Sequence, residues 1–218
     1  MYAKWIKRAM DILLSLIGLP FFLVLFLIIA PIQLITSGRP IFYNASRVGK
    51  NGKIFKMYKF RSMRNNAPDI RREDGSTYNS ADDPRLTRFG KLLRETSLDE
   101  TPQLLNVLIG NMSFIGPRPD LPDHLAVYTQ QQRRKLDVLP GITGYAQATF
   151  RNGGSWEDRL ECDAYYAEHL TFMMDVRVLW KTVKMVLLRK GIYTQEAAEI
   201  KETVPASEKE VAVSGKAQ

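Results

Sequence analysis

The sequence predicts a mainly α-helical fold with one small β-hairpin, an α+β chain that begins with a membrane-inserted helix. Three observations carry this. Residues 12–35 are almost wholly apolar, with only Ser15 and Gln33 clearly polar. Asn51-Gly52, the pair that type I′ turns prefer, separates two apolar stretches, Ile41-Phe42-Tyr43 and Ile54-Phe55. Beyond residue 85 apolar residues recur at helical spacing, first as Leu86, Phe89, Leu92 and Leu93. A chain of 218 residues is ample for one domain with a real core. The expected division is a membrane segment over 1–36, a folded domain over 37–194, and a disordered polar tail over 195–218.

Charge narrows the partners. The net formal charge is +8, and because the tail is slightly acidic the rest of the chain carries more than that. Such an excess suits nucleic acid, anionic lipid or phosphorylated substrates. Cys162 is the only cysteine, which excludes an intramolecular disulfide. With one cysteine and two histidines, His124 and His169, the composition also argues against a zinc site.

The apolar run of residues 12–35 would extend about 36 Å as a helix, enough to cross a bilayer core. It is too long for a secretory signal, and no small-residue cleavage pattern follows. Two topologies fit. One is a single span. The other is a bent helix that enters and leaves by the same face, since Pro20 interrupts the run and both flanks are basic: Lys4, Lys7 and Arg8 before, Arg39, Arg47, Lys50 and Lys53 after.

Next comes the hairpin, a basic ribbon bearing Lys56, Lys59, Arg61 and Arg64. Residues 65–84 are polar and read as a long loop. A basic amphipathic helix over 85–94 follows, either an ordinary surface helix or one lying in a membrane interface. Pro102 then places a helix start near Leu98 or Asp99, because a missing N–H is harmless in a first turn. Asp99 and Glu100 therefore sit at a helix N-terminus. Ser97-Leu98-Asp99-Glu100 fits a capping box, yet a carboxylate pair among Arg88, Arg94 and Arg118 equally fits a nucleophile or a metal ligand beside a phosphate site. Pro117 and Pro119 hold Arg118 in a restricted turn.

Residues 121–138 read as a polar helix. Pro140-Gly141-Ile142-Thr143-Gly144 is a glycine-rich loop without the pattern of a P-loop. Helices are expected over 156–169 and 170–189; the second, with Trp180 among lysines, suits either the core or a membrane surface. No nucleic-acid motif is present. A basic membrane-bound scaffold would explain the charge but not the clustering of Asp99, Glu100, Arg94 and Arg118.

The ordered set of motifs resembles the monotopic phosphoglycosyl transferases, the bacterial sugar transferase family, in their small single-domain form. The residues that carry the resemblance are Arg47-Val48-Gly49, Met57-Tyr58-Lys59-Phe60-Arg61-Ser62-Met63, Leu98-Asp99-Glu100, Gln103–Val107, Met112–Pro119, Pro140–Gly144 and Asp163 with Tyr165-Tyr166. The resemblance implies transfer of a phosphosugar from a UDP-sugar, an N-acetylated amino sugar by analogy with small members, to undecaprenyl phosphate. That is the first membrane step of polysaccharide or glycoprotein glycan assembly. It implies Asp99 as the nucleophile that carries a covalent phosphosugar, and Glu100 as the neighbouring carboxylate associated with Mg²⁺. Lys59, Arg94, Arg118 and Arg151 match basic positions assigned to substrate phosphates. The family's membrane segment is a re-entrant helix with both ends at the cytoplasmic face of the inner membrane, flanked by interfacial amphipathic helices. Here the family's usual Ser-Pro bend is replaced by Leu23-Val24, and Pro20 is the central proline. Asp163 falls in a family-like context with its role open, a structural partner for an arginine being one option.

Overall fold

The computed structural model describes residues 2–71, 77–78, 80, 82–150, 155–187 and 201–202. A π-helical turn, Tyr2–Ile6, leads directly into α1, Lys7–Ser37, a 31-residue helix that continues through both Pro20 and Pro31. Its inward stripe is Lys7, Asp11, Ser15, Phe22, Ile29, Ala30 and Gln33, all buried. The opposite face exposes Leu13, Leu16, Phe21, Val24, Leu27 and Ile35. The helix is apolar and long enough to cross a membrane.

This helix lies against the rest of the protein from one end to the other. At its start, Tyr2 Oη and Lys7 Nζ donate to Asp175 Oδ2 at 2.6 and 2.5 Å. Arg8 donates to the carbonyls of Val107 and Leu108, and Asp11 Oδ1 accepts from Ser113 Oγ and the Phe114 N–H, both at 3.0 Å. Midway, Phe22 and Phe26 pack on Phe60, and Phe26 stacks on Phe42. At its end, Gln33 Nε2 donates to the carbonyls of Ile41 and Arg61. Arg61 in turn satisfies the orphan carbonyls of Ser37 and Gly38, both at 2.7 Å.

The hairpin forms as expected. Strands β1 (Phe42–Val48) and β2 (Ile54–Phe60) pair antiparallel from Phe42↔Phe60 to Val48↔Ile54. Asn51 and Gly52 both take positive φ, 57° and 74°, as a type I′ turn requires. Two-residue β3 (Ile70–Arg71) lies in the long loop; its partner, β6 (Lys201–Glu202), falls within the segment expected to be disordered. The remainder of that tail lies outside the described residues.

Helix α2, Arg88–Glu95, is capped by Thr87, whose Oγ1 accepts from the Gly90 N–H at 2.9 Å. A Cβ at Gly90 would sit 1.8 Å from the Ser62 carbonyl oxygen, so only glycine lets α2 approach the hairpin this closely. A 3₁₀ turn, Leu98–Glu100, precedes α3, Gln103–Ile109. Then come β4 (Ser113–Ile115), β5 (Gly141–Thr143), α4 (Tyr145–Phe150), α5 (Trp156–Glu168, with a capping box from Ser155 and Asp158) and α6 (Phe172–Leu187). On α6, Met174, Asp175 and Val178 face inward while Phe172, Met173, Leu179 and Trp180 are exposed.

Two expectations change. Residues 121–138 form two 3₁₀ turns, Pro122–Ala126 and Gln132–Asp137, instead of one helix. Tyr128 and Lys135 both reach back to Asp120, which folds the segment on itself and precludes a straight axis. Moreover, β4 and β5 pair in parallel, Ser113↔Gly141 and Ile115↔Thr143. Three-residue strands are too short to show periodicity.

The core divides into three packed clusters. Phe22, Ile29, Phe60 and Leu93 join α1 to the hairpin and α2. Ala45, Met57, Val107 and Met112 join the hairpin to α3. Ile115, Ala148, Tyr166, Met174 and Val178 join β4 to the last three helices. Each large side chain buried this way stabilises the fold by about 1.5–3 kcal/mol.

Candidate active site

Four separate elements bring charged side chains to one place. Lys59 comes from β2, Arg94 from the end of α2, Asp99 and Glu100 from the 3₁₀ turn, and Arg118 from the turn after β4. Arg151, the remaining basic residue expected here, lies outside the described residues.

The carboxylate turn owes its shape to Pro102. In an α-helix residue 102 would donate to the Leu98 carbonyl, which proline cannot do. That carbonyl is met instead by the Thr101 N–H at 3.2 Å and by Thr101 Oγ1 at 2.8 Å. The chain therefore winds as 3₁₀ through Asp99 and Glu100 and becomes α-helical only at Gln103. The capping box is not formed: Ser97 adopts a left-handed conformation and its side chain makes no cap hydrogen bond. The carboxylates are consequently not used up in closing the helix.

Asn106 sets the distance between α3 and β2. Its Oδ1 accepts from the Tyr58 N–H and its Nδ2 donates to the Lys56 carbonyl, both at 2.8 Å. This fully buried amide acts as a neighbouring strand would, and it places Lys59 over the carboxylate turn. Its signals in the sequence were a polar residue inside an apolar stretch and its place in the Gln103–Val107 motif. The Arg118 turn is fixed from the other side. The Gly116 N–H donates to the Thr143 carbonyl at 2.8 Å and the Gly141 N–H to the Pro117 carbonyl at 2.9 Å. A Cβ at Gly116 would lie 2.3 Å from the Leu139 carbonyl oxygen. A further support was not foreseen: Lys135, buried, bonds both Asp120 and Asp163 at 2.7 and 2.9 Å. The ion pair of Asp163 is thus with a lysine and not with an arginine side chain.

The two site carboxylates differ sharply. Glu100 Oε1 accepts from Lys59 Nζ at 2.6 Å and faces Arg118 Nη2 at 4.0 Å. Burial works against its charge, but Lys59 and Arg118 outweigh it and hold the carboxyl down at about 2. Asp99 is 6% exposed and has no hydrogen bond or ion pair among the described residues. Burial pushes its carboxyl above the usual aspartate range; the charge of Glu100 adds to this, and Lys59, Arg94 and Arg118 oppose it. Arg94 donates from Nε to Ser62 Oγ at 3.0 Å. Burial lowers its guanidinium, with Asp99 the leading attraction in the other direction. Beside this cluster an open cleft of about 430 Å³ is lined by Arg47, Lys59, Glu100, Arg118 and His124. Both ring nitrogens of buried His124 lack a partner among the described residues, and its ring packs against Trp156 at 4.7 Å.

A buried carboxylate without a partner among the described residues, a second one neutralised by a lysine, and arginines lining a cleft suit transfer of a phosphorylated group. Related sequences agree. The profile of the family described as Bacterial sugar transferase matches residues 2–189. The uncharacterized sugar transferase EpsL of Bacillus subtilis is 41% identical over 187 residues, covering 86% of this chain and 90% of that protein. The undecaprenyl-phosphate galactose phosphotransferase of Salmonella typhimurium is 36% identical over 208 residues, 88% of this chain and 42% of its own. The UDP-N-acetylgalactosamine-undecaprenyl-phosphate N-acetylgalactosaminephosphotransferase of Aeromonas hydrophila is 36% identical over 197 residues, 86% of this chain and 45% of its own. The chain spans nearly all of the first relative and less than half of the other two. It belongs to the bacterial sugar transferase family and matches one of its small relatives over nearly that protein's whole length.

Proposed function

We propose that this enzyme transfers a phosphosugar from a UDP-sugar to undecaprenyl phosphate through a covalent intermediate on Asp99. The observation that carries the reading is the contrast within the pair: Glu100 is neutralised by Lys59, while Asp99 is buried beside cations with no bond of its own among the described residues. In this mechanism an Asp99 carboxylate oxygen attacks the phosphorus that bears the sugar. The bond from that phosphorus to the bridging oxygen breaks, and uridine monophosphate leaves with the electron pair. The phosphate oxygen of undecaprenyl phosphate then attacks the same phosphorus, releases Asp99, and gives the lipid diphosphate sugar. Lys59, Arg94 and Arg118 offset charge on the phosphoryl oxygens as it develops; Arg151 is assigned the same task.

Two carboxylates fit a Mg²⁺ that arrives with a diphosphate, because this ion needs only one or two protein oxygens when phosphates and water complete its shell. Glu100 offers the oxygen that Lys59 leaves free. The ion would neutralise diphosphate charge. Among the described residues no group of three or more ligating side chains forms a protein-only metal cage.

For the membrane we favour a helix whose two ends stay at the cytoplasmic face of the inner membrane. The support is that α1 is bonded to the same body at Lys7 and at Gln33, so a span would have to break one set of contacts. A UDP-sugar panel with undecaprenyl phosphate and Mg²⁺, read by uridine monophosphate release, tests the reaction. Turnover with an N-acetylated amino sugar donor is expected; a chain that releases no nucleotide with any donor would refute the reading. Cysteines placed at Lys4 and Ser37, with Cys162→Ser, should both be labelled from the cytoplasmic side, and labelling from opposite sides would restore a single span.

A further inference from the structure

We infer that Arg47 and Arg118 together seat the departing phosphate of the donor, the one that leaves with the nucleoside. This rests on the reaction proposed above.

The case begins with how the arginines are used. Arg61 is committed to carbonyls at the end of α1, Arg8 to carbonyls at the end of α3, and Arg85 to the Asp83 carboxylate at 2.7 Å. Arg47, near the end of β1, is different. It is partly buried, yet it makes no ion pair among the described residues, and its one hydrogen bond runs from Nη1 to the Ser46 carbonyl at a long 3.4 Å. Burial and the like charge of Arg118 both push its guanidinium below the ordinary arginine value; only Tyr43 and Asp120 act the other way among the leading neighbours.

A guanidinium withdrawn from water and facing a second one is an unfavourable arrangement in the empty protein. A dianion between the two removes both penalties. Each planar fork can bond a phosphate through two N–H groups. The cleft gives the place, since Arg47 and Arg118 line it together. The third cation there, Lys59, is already held by Glu100, whereas Arg118 is about half exposed and lies 4.0 Å from its nearest carboxylate oxygen.

The order of residues also identifies which phosphate is meant. Glu100 lines this cleft, and neither Asp99 nor Arg94 does. The attacked phosphorus must sit against Asp99, so a phosphate between Arg47 and Arg118 is the next one along the donor. Charge collects on that group as the bridging bond breaks, and the two arginines are placed to meet it.

The test compares the full-length protein with Arg47→Met and Arg47→Lys, using uridine monophosphate and pyrophosphate as probes in calorimetric titration and thermal melting. Losing a charge-assisted pair of hydrogen bonds corresponds to about ten- to hundredfold weaker binding. That loss is expected for both probes in Arg47→Met, with partial recovery in Arg47→Lys. Without ligand, Arg47→Met should melt no lower than the parent, because the side chain removed was opposed by its surroundings. A purely structural arginine would show the reverse: a lower melting point and unchanged affinity. If the parent binds the probes and Arg47→Met binds them equally well, this inference falls and the reaction stands. If the parent binds neither probe, both fall.

Discussion

Lys59 and Lys135 each stand between two carboxylates, and they use them differently. Lys135 is sealed in the interior, with Asp120 Oδ2 at 2.7 Å and Asp163 Oδ2 at 2.9 Å, and the Tyr128 hydroxyl also donates to Asp120. Lys59 bonds Glu100, and Asp99 has no bond among the described residues. In both clusters one carboxyl is held low by its cations, Asp120 and Glu100, and the other is raised by burial, Asp163 and Asp99. The difference is that Asp163 is bonded to its lysine, whereas Asp99 meets no partner among the described residues. The Lys135 cluster, in which both carboxylates are bonded to the lysine, supports the turn that carries Arg118. The Lys59 cluster has a carboxylate left over.

Substituting each cluster in turn should separate these roles. Asp99→Asn is expected to lower transfer by about three orders of magnitude or more, as removal of a nucleophile does. Its melting point should be unchanged or higher, since a buried unbonded charge is removed. A large fall in melting temperature would show Asp99 to be structural. Lys135→Met should act the other way. It leaves two buried carboxylates facing each other and should cost about 3–5 kcal/mol in denaturant unfolding. Asp163→Asn added to it should recover part of that loss, and no destabilisation at all would remove the distinction drawn here.

The smallest effect is in the pH dependence. The raised Asp99 carboxyl holds its proton in the native state over a range where the unfolded chain has lost it. Its contribution therefore favours the fold at low pH and fades as pH rises through the native value. Glu100 has the opposite sign: its contribution is present above the ordinary glutamate value and is lost as pH falls toward about 2. Activity needs ionised Asp99, so the acidic limb of kcat/KM should lie above the ordinary aspartate range. A limb at or below that range would contradict the environment described for Asp99.

The sequence was more legible for elements than for their junctions. The hairpin could be read from Asn51-Gly52, the last two helices from their apolar spacing, and the clustering of charge from Asp99, Glu100, Arg94 and Arg118. What could not be read depends on contacts distant in the chain. Proline at position 102 pointed to a helix start, but whether the turn would be capped depended on Ser97 adopting a left-handed backbone. The β4–β5 pair rests on close approach at Gly116 and Gly141, and the folding back of 121–138 on Lys135 meeting Asp120 and Asp163. The seating of α1 depends on Lys7, Asp11 and Gln33, which as isolated polar residues in or beside an apolar run carry no address for their partners.

In the proposed reaction Asp99, and not Glu100, becomes covalently loaded. Incubating the protein with its UDP-sugar and Mg²⁺ in the absence of undecaprenyl phosphate, followed by peptide mass spectrometry, tests this directly. A phosphosugar mass is expected on the peptide containing Asp99, discharged by undecaprenyl phosphate and missing from Asp99→Asn. A phosphosugar on Glu100, or full turnover by Asp99→Asn, would contradict it.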